Sequence, residues 1–90
     1  MPIYNNRYTL GTAVIEICPP STQGQHVTVH EADHSESTEA VIGGPSVGTA
    51  TGLHIHAAET LQFQLGPGDS LSAISTQGAP VLHVMRVTQD

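Results

Sequence analysis

The sequence between residues 40 and 87 consists of short apolar runs that are separated by Gly, Pro, Ser and Asp at nearly regular intervals. Turn-forming residues every 8–12 positions or so limit each regular element to the length of a short strand. No window repeats apolar residues at the spacing of an amphipathic helix. We therefore expect an all-β fold, a small antiparallel β-sandwich or jelly-roll-like barrel of about six to eight short strands with little or no helix.

The clearest strand is predicted over residues 59–65. Leu61, Phe63 and Leu65 alternate with Gln62 and Gln64, which predicts one buried face and one solvent-facing face. The strand over 80–87 has apolar residues on both faces, which places it in the middle of a sheet. Further strands are predicted over 8–18, 25–32, 38–42 and 70–75.

The chain is short enough that it forms one domain. Ninety residues bury only about 60–65% of the surface of the unfolded chain, so the stability margin is narrow and a partner is expected. Residues 8–90 are predicted to form this single β-domain. Residues 1–7 precede the strand pattern and are predicted to be an extended N-terminal arm.

The charge distribution argues against binding to nucleic acid. The chain contains no lysine, its two arginines are Arg7 and Arg86, and its formal net charge is -6. A nucleic-acid binder neutralises several phosphates with Lys or Arg, whereas this charge repels them. The sequence also contains no apolar run long enough to span a bilayer and no apparent export signal, so neither a membrane nor export is expected. Cys18 stands alone, which rules out a disulfide within the chain.

Two histidines and a glutamate form the sharpest candidate for a metal site. His54 and His56 are alternate residues, which project from the same face of a strand and can chelate one ion. Gly48, His54, His56, Glu59 and Gly66, followed by Pro67-Gly68-Asp69, form a pattern similar to the first motif of the cupin superfamily. That resemblance implies a small metal-binding protein, either an enzyme or a sugar binder, in which His54 and His56 are ligands.

The spacing departs from the cupin motif at the glutamate. Two residues separate His56 from Glu59, one fewer than the family requires, and this shift turns the carboxylate to the opposite face of a strand. The second motif has no proper counterpart, because His83 follows Gly78 and Pro80 in a different arrangement. We therefore expect no metal and no other cofactor, and keep the cupin-like protein as the alternative.

A second group of polar residues contains Glu31, Asp33, Glu36 and Glu39 together with His30 and His34. These carboxylates could bind a hard cation, but their spacing lacks the central glycine of a calcium loop. A solvated acidic loop is the predicted structure. No Gly-x-Ser-x-Gly motif occurs, and Cys18 precedes two prolines where no helix could lower the pKa of a thiol. The sequence thus predicts a protein that is not an enzyme.

The second half of the chain resembles small virion proteins of tailed bacteriophages. The resemblance is carried by Ile42-Gly43-Gly44, Val47, Gly52, Glu59-Thr60-Leu61, Pro67-Gly68-Asp69, Leu71-Ser72-Ala73-Ile74 and the strand over 81–87, with Ala58 in place of the usual glycine. It implies a structural role, most specifically that of a capsid decoration or cement protein, with a module of the tail or fibre as a further possibility. Such a protein binds the major capsid protein on the outside of the phage head, as a homodimer or homotrimer.

The N-terminal residues are the predicted partner interface. Ile3 and Tyr4 can bury apolar area, and Arg7 can pair with a carboxylate of a neighbour. Tyr8 follows them at the start of the predicted β-domain. We expect Ile3, Tyr4, Arg7 and Tyr8 to contact a neighbouring subunit or the capsid.

Overall fold

The computed structural model of the chain describes residues 3–32 and 38–88. These residues form eight strands, which in chain order are β1 (Ile3–Thr9), β2 (Ile15–Cys18), β3 (Gln25–Glu31), β4 (Glu39–Gly43), β5 (Leu53–His56), β6 (Thr60–Leu65), β7 (Leu71–Gln77) and β8 (Val81–Thr88). Across these two ranges, no helix is long and apolar enough to cross a membrane.

The strands form two four-stranded sheets. Sheet A has the order β1-β8-β3-β6 and sheet B the order β2-β7-β4-β5, and every neighbouring pair is antiparallel. Only β4 and β5 follow each other within one sheet, so each of the other connections crosses between the sheets. This is an eight-stranded β-sandwich with jelly-roll strand order, which confirms the predicted all-β class.

The core lies between the two sheets because alternate residues of each strand point inward. Sheet A contributes Val27, Val29, Leu82 and Val84, and sheet B contributes Ile17, Ala40, Ile42, Ile55 and Ala73. Tyr8, Leu61, Phe63 and Leu65 pack against this cluster while staying partly exposed. The prediction that Leu61, Phe63 and Leu65 share the inward face is confirmed.

A loop covers part of the outer face of sheet B. Val41, Val47 and Ile74 form a second, smaller buried cluster beneath it. Gly52 ends this loop with a φ of 146°, and a Cβ atom there would lie 2.5 Å from Val41 Cγ1. Glycine is therefore required for the loop to approach the sheet so closely.

The N-terminal segment is a strand of sheet A. Ile3–Thr9 pairs with β8 along its whole length, from Ile3 opposite Val87 to Thr9 opposite Val81. The structure thus corrects the arm predicted over 1–7 for residues 3–7, and Met1 and Pro2 lie outside the described residues. The physical reason is that residues 3–9 pair with β8, and this pairing satisfies the backbone N–H and C=O groups along that side of β8. The prediction that the strand over 80–87 lies in the middle of a sheet is confirmed, because β8 lies between β1 and β3.

The strand predicted over 8–18 is divided in two. β1 ends at Thr9, Leu10 is buried, and the chain bends before β2 begins at Ile15. The acidic segment also differs from the prediction, because Glu31 is fully buried at the end of β3 and Glu39 belongs to β4. Asp33, His34 and Glu36 lie outside the described residues.

Candidate functional site

The two histidines of the metal-like motif lie on the outer face of sheet B. Ile55, which separates them in β5, is fully buried in the core. Because side chains alternate along a strand, His54 and His56 point away from the core, and their side chains are 49% and 61% exposed. The structure thus confirms that both imidazoles share a face.

Glu39 of the neighbouring strand β4 joins these histidines. Its Oε1 lies 3.0 Å from Nδ1 of His54, and its Oε2 lies 2.6 Å from Nε2 of His56. A bulge between β4 and β7 brings Thr76 close enough to donate its hydroxyl to Glu39 Oε1 at 2.7 Å. This contact could not be predicted along the chain, because Glu39 and Thr76 are 37 positions apart.

Glu59 completes the cluster from the turn that follows β5. His56 is the last residue of the strand, and Ala58 has a φ of 65°, which turns the chain back. Glu59 Oε1 accepts the backbone N–H of His56 at 2.6 Å and lies 3.0 Å from His56 Nδ1. The expectation that Glu59 faces away from the histidines was therefore wrong, because the strand ends before the glutamate.

The ring of His56 lies between two carboxylates. Its Nδ1 faces Glu59 and its Nε2 faces Glu39, an arrangement that satisfies both nitrogens when both carry a proton. The hydrogen bond to Glu59, with Glu39 adding to it, raises the pKa of His56 above its ordinary value. Conversely, the backbone N–H of His56 lowers the pKa of Glu59, and the hydroxyl of Thr76, followed by His54, lowers that of Glu39.

The cluster links β4, β5 and the turn before β6, and it is an ion-pair clamp when His56 is protonated. Over residues 3–32 and 38–88, no group of three or more His, Cys, Asp or Glu side chains is arranged to hold a metal ion. In the clamp, both nitrogens of His56 are directed at carboxylate oxygens. The absence of a bound metal remains a prediction, which metal analysis of the purified protein tests directly.

The predicted partner residues lie on β1, at one edge of sheet A. Ile3 is 60% exposed and Tyr4 is 44% exposed, whereas Tyr8 is half-buried against the core. The guanidinium of Arg86 lies 4.6 Å from the centre of the Tyr4 ring and donates to Gln25 Oε1 at 3.3 Å. Tyr4 is thus held at the edge, with its ring still reachable by a partner.

Arg7 lies on the outer face of sheet A, beside a shallow groove of about 480 Å³. The groove is lined by Asn5, Arg7, Thr28, His30, His83 and Met85, which come from β1, β8 and β3. The pairing register places Arg7 opposite His83 and His83 opposite His30. The row of Arg7, His83 and His30 could not be predicted from the sequence, because their positions along the chain do not show that they are neighbours.

Among the described residues, β8 is the strand that pairs with β1, so the other hydrogen-bonding side of the β1 backbone has no strand beside it. Leu10 donates its N–H to the carbonyl of Pro80, so the alternate N–H groups of Tyr8, Asn6 and Tyr4 also point toward β8. The N–H groups of Arg7, Asn5 and Ile3 consequently point away from the sheet. We call this side the β1 edge.

β6, at the opposite edge of sheet A, also has one backbone side with no strand of the described residues beside it. Glu31 donates its N–H to the carbonyl of Glu59, which fixes the alternation along β6. The N–H groups of Thr60, Gln62 and Gln64 therefore point away from β3. We call this side the β6 edge, and sequence reasoning did not identify it as a functional feature.

Between β6 and β5 the sandwich is open along one side. A cleft of about 760 Å³ lies there, with apolar side chains from both sheets on its walls. Among them are Phe63 and Leu65 of β6, Leu53 of β5, Ile42 and Leu71. Leu53 is 56% exposed and, together with its apolar neighbours in the cleft, forms an apolar surface that another molecule could cover.

Comparison with known proteins gives similarity in fold alone. No protein-family model matches this chain, and no curated protein sequence matches it. A solved Bacillus endospore appendage, described as a disulfide-linked pilus, matches with a TM-score of 0.60 and 14% identity over 99% of this chain and 87% of the other. The periplasmic inhibitor of g-type lysozyme from Aeromonas hydrophila matches with a TM-score of 0.55 and 13% identity, over 97% and 85% of the two chains.

Proposed function

We propose that this protein is a structural, non-enzymatic subunit of a protein coat, which assembles with copies of itself on the surface that it covers. One observation carries the proposal: sheet A ends on both sides in an edge strand, and no other strand of the described residues pairs with the outward backbone of either one. β1 is seven residues long and β6 is six. Strands of that length provide a row of hydrogen-bonding groups to another chain.

Soluble monomers ordinarily protect such edges. The usual devices are lysine, proline, inward-pointing charges, bulges or a covering loop. β6 has no charged residue and no proline, and Arg7 is the sole charge of β1. The absence of lysine from the whole chain is consistent with edges that are meant to pair.

The size of the domain supports the same function. Ninety residues bury a modest core, so burial of Ile3, Tyr4 and Leu53 against neighbours would add to a narrow stability margin. Each fully buried apolar side chain contributes about 1.5–3 kcal/mol. Two or three such contacts are a substantial fraction of the stability of a domain of this size.

The fold comparisons are compatible with the proposal. One of the solved structures with a similar fold is a component of pili, which are themselves structural assemblies. Its assemblies are disulfide-linked, whereas Cys18 is fully buried here, and burial raises the pKa of its thiol. We therefore propose an assembly held by non-covalent contacts, which a reducing agent does not dissolve.

The specific coat that we propose is the exterior of a tailed-phage head, where the chain decorates the major capsid protein. The resemblance of residues 42–87 to virion proteins supports this location, and the β1 residues Ile3, Tyr4, Arg7 and Tyr8 are the proposed contact with a neighbouring subunit or with the capsid. If this is right, the chain sediments with intact particles and stays with them through a wash in high salt. Complete release by the wash, together with a monomeric chain at about 1 mM, would refute the proposed function.

A further inference from the structure

We propose that the β6 edge of one copy pairs with the β1 edge of the next copy, so that sheet A continues from subunit to subunit. The inference rests on the proposed function, because it names the contact by which the chain would assemble. Three features of the structure support this pairing.

The first feature is strand direction. In sheet A, β1 is antiparallel to β8, β8 to β3 and β3 to β6, so β1 and β6 run in opposite directions. When a second copy is placed beside the first in the same orientation, its β1 is antiparallel to β6. The junction then repeats the pattern inside the sheet, and antiparallel pairing is the slightly more stable type.

The second feature is the match between hydrogen bonding and side-chain direction. The free N–H groups of the β6 edge belong to Thr60, Gln62 and Gln64, whose side chains lie on the outer face. On the β1 edge the free groups belong to Asn5, Arg7 and Ile3, which also lie on the outer face. Residues directly opposite in an antiparallel pair point to the same side, so both requirements are met at once.

The third feature is what faces inward at the junction. If Gln62 lies opposite Asn5 of the next copy, Thr60 lies opposite the next copy's Arg7, and Phe63 lies opposite the next copy's Tyr4. Phe63 and Tyr4 then form a pair without mutual backbone hydrogen bonds, where Cα atoms approach to about 4.5 Å. Both rings are partly exposed in the single subunit, and an aromatic pair contributes beyond its buried area.

This register also closes the open side of the sandwich. Phe63 lies on the wall of the apolar cleft between β6 and β5, opposite the exposed Leu53. Tyr4 of the next copy reaches this side once it stands beside Phe63. The occupant that we assign to the edge of the cleft is therefore β1 of a second copy.

Pairing of β6 with β1 of the next copy is a head-to-tail contact, which distinguishes between the homodimer and the homotrimer expected from the sequence. It is a heterologous contact, which closes into a trimer or a larger ring or grows into a filament. A dimer in which β1 pairs with β1 of its partner would instead have two-fold symmetry and leave both β6 edges open. The tests below separate these arrangements.

Proline at the free edges provides the first test. Asn5→Pro and Gln62→Pro each remove one outward N–H without removing a donor from the ladder inside the sheet. We expect each to weaken self-association at least tenfold in sedimentation equilibrium, with an unchanged far-ultraviolet circular dichroism spectrum. Asn5→Ala and Gln62→Ala are matched controls, because they remove the same side chains and keep the N–H groups.

The outcomes separate this proposal from the proposed function. If the wild type assembles and the proline variants assemble equally well, the edge pairing is wrong while the structural function stands. If Gln62→Pro has no effect and Asn5→Pro alone prevents assembly, β1 pairs with β1 and the head-to-tail arrangement is wrong. A wild type that is monomeric at about 1 mM contradicts the pairing outright.

Cross-linking provides a second test that does not depend on the proline variants folding. Opposite residues in a hydrogen-bonded antiparallel pair have Cα atoms about 5.5 Å apart, within the range that a disulfide spans. A mixture of Asn5→Cys and Gln62→Cys should form covalent dimers under mild oxidation, whereas each variant alone should stay monomeric on a denaturing gel. Cross-linking of Asn5→Cys with itself, or none in the mixture, would overturn the proposed register.

Discussion

Ala58 adopts a backbone conformation that costs an L-residue about 1–2 kcal/mol. Its φ of 65° is the single positive value at a residue other than glycine in the described ranges. We expect Ala58→Gly to be at least about 1 kcal/mol more stable than the control Ala57→Gly, which relieves no such strain. Urea unfolding measures the difference, and equal stability of the two variants would show that the turn is not strained.

His56 gives the clamp a predictable dependence on pH. Its pKa is raised in the folded state, so its contribution to stability is present below pH 6.5, the ordinary value, and is lost as the pH rises through the raised value. The pKa values of Glu39 and Glu59 are lowered, so their contribution is present above pH 4.5 and is lost as the pH falls through the lowered values. The clamp therefore contributes most between about pH 4.5 and 6.5.

The variant His56→Gln tests this pH dependence. Between pH 6 and pH 8 we expect the Tm of the wild type to fall further than that of the variant, because only the wild type loses the doubly paired imidazolium. His83→Gln, on the opposite sheet, should keep the full wild-type decrease. Parallel Tm curves for the wild type and His56→Gln would mean that the clamp adds nothing to stability.

At the scale of whole strands, β6 and β8 could be predicted because their own residues carry the pattern. Leu61, Phe63 and Leu65 alternate strictly, and β8 is apolar on both faces. β1 could not be predicted, since Tyr4-Asn5-Asn6-Arg7 has no alternation of its own and is ordered by pairing with β8. Tertiary pairing also placed Glu39 and Thr76 beside the histidines, which spacing along the chain does not encode.

Phe63 tests the one-sided character of β6. It is partly exposed in the single subunit, so we expect Phe63→Ala to cost about 2–3 kcal/mol, less than for a fully buried ring. Gln62→Ala, on the outer face, should stay within about 0.5 kcal/mol of the wild type. Chemical denaturation at a concentration where the chain is monomeric measures both values, and equal losses would contradict the assignment of the two faces.

The strand order of the whole molecule determines what removal of the N-terminus would do. Residues 3–7 pair with β8, from Ile3 opposite Val87 to Arg7 opposite His83, so they belong to the fold. Their deletion would expose one side of β8. We therefore expect loss of residues 1–7 to lower stability as well as assembly, so truncation cannot separate the two. Single substitutions at the outward N–H groups can, because they leave sheet A paired internally.

Assembly should also be visible in the stability of the whole molecule. Binding that occurs only between folded copies adds about 2.7 kcal/mol when the concentration is 100 times the Kd. For a domain of about 60–100 residues, 1 kcal/mol corresponds to about 4–8 °C, so we expect the Tm to rise by about 10 °C or more as the protein is concentrated from well below to well above the Kd. Gln62→Pro should show little rise over the same concentrations, and Gln62→Ala should follow the wild type. A wild-type Tm that is independent of concentration, in a sample shown to be assembled, would mean that the contacts between copies form equally well between unfolded chains, which paired edges of a folded sheet cannot do.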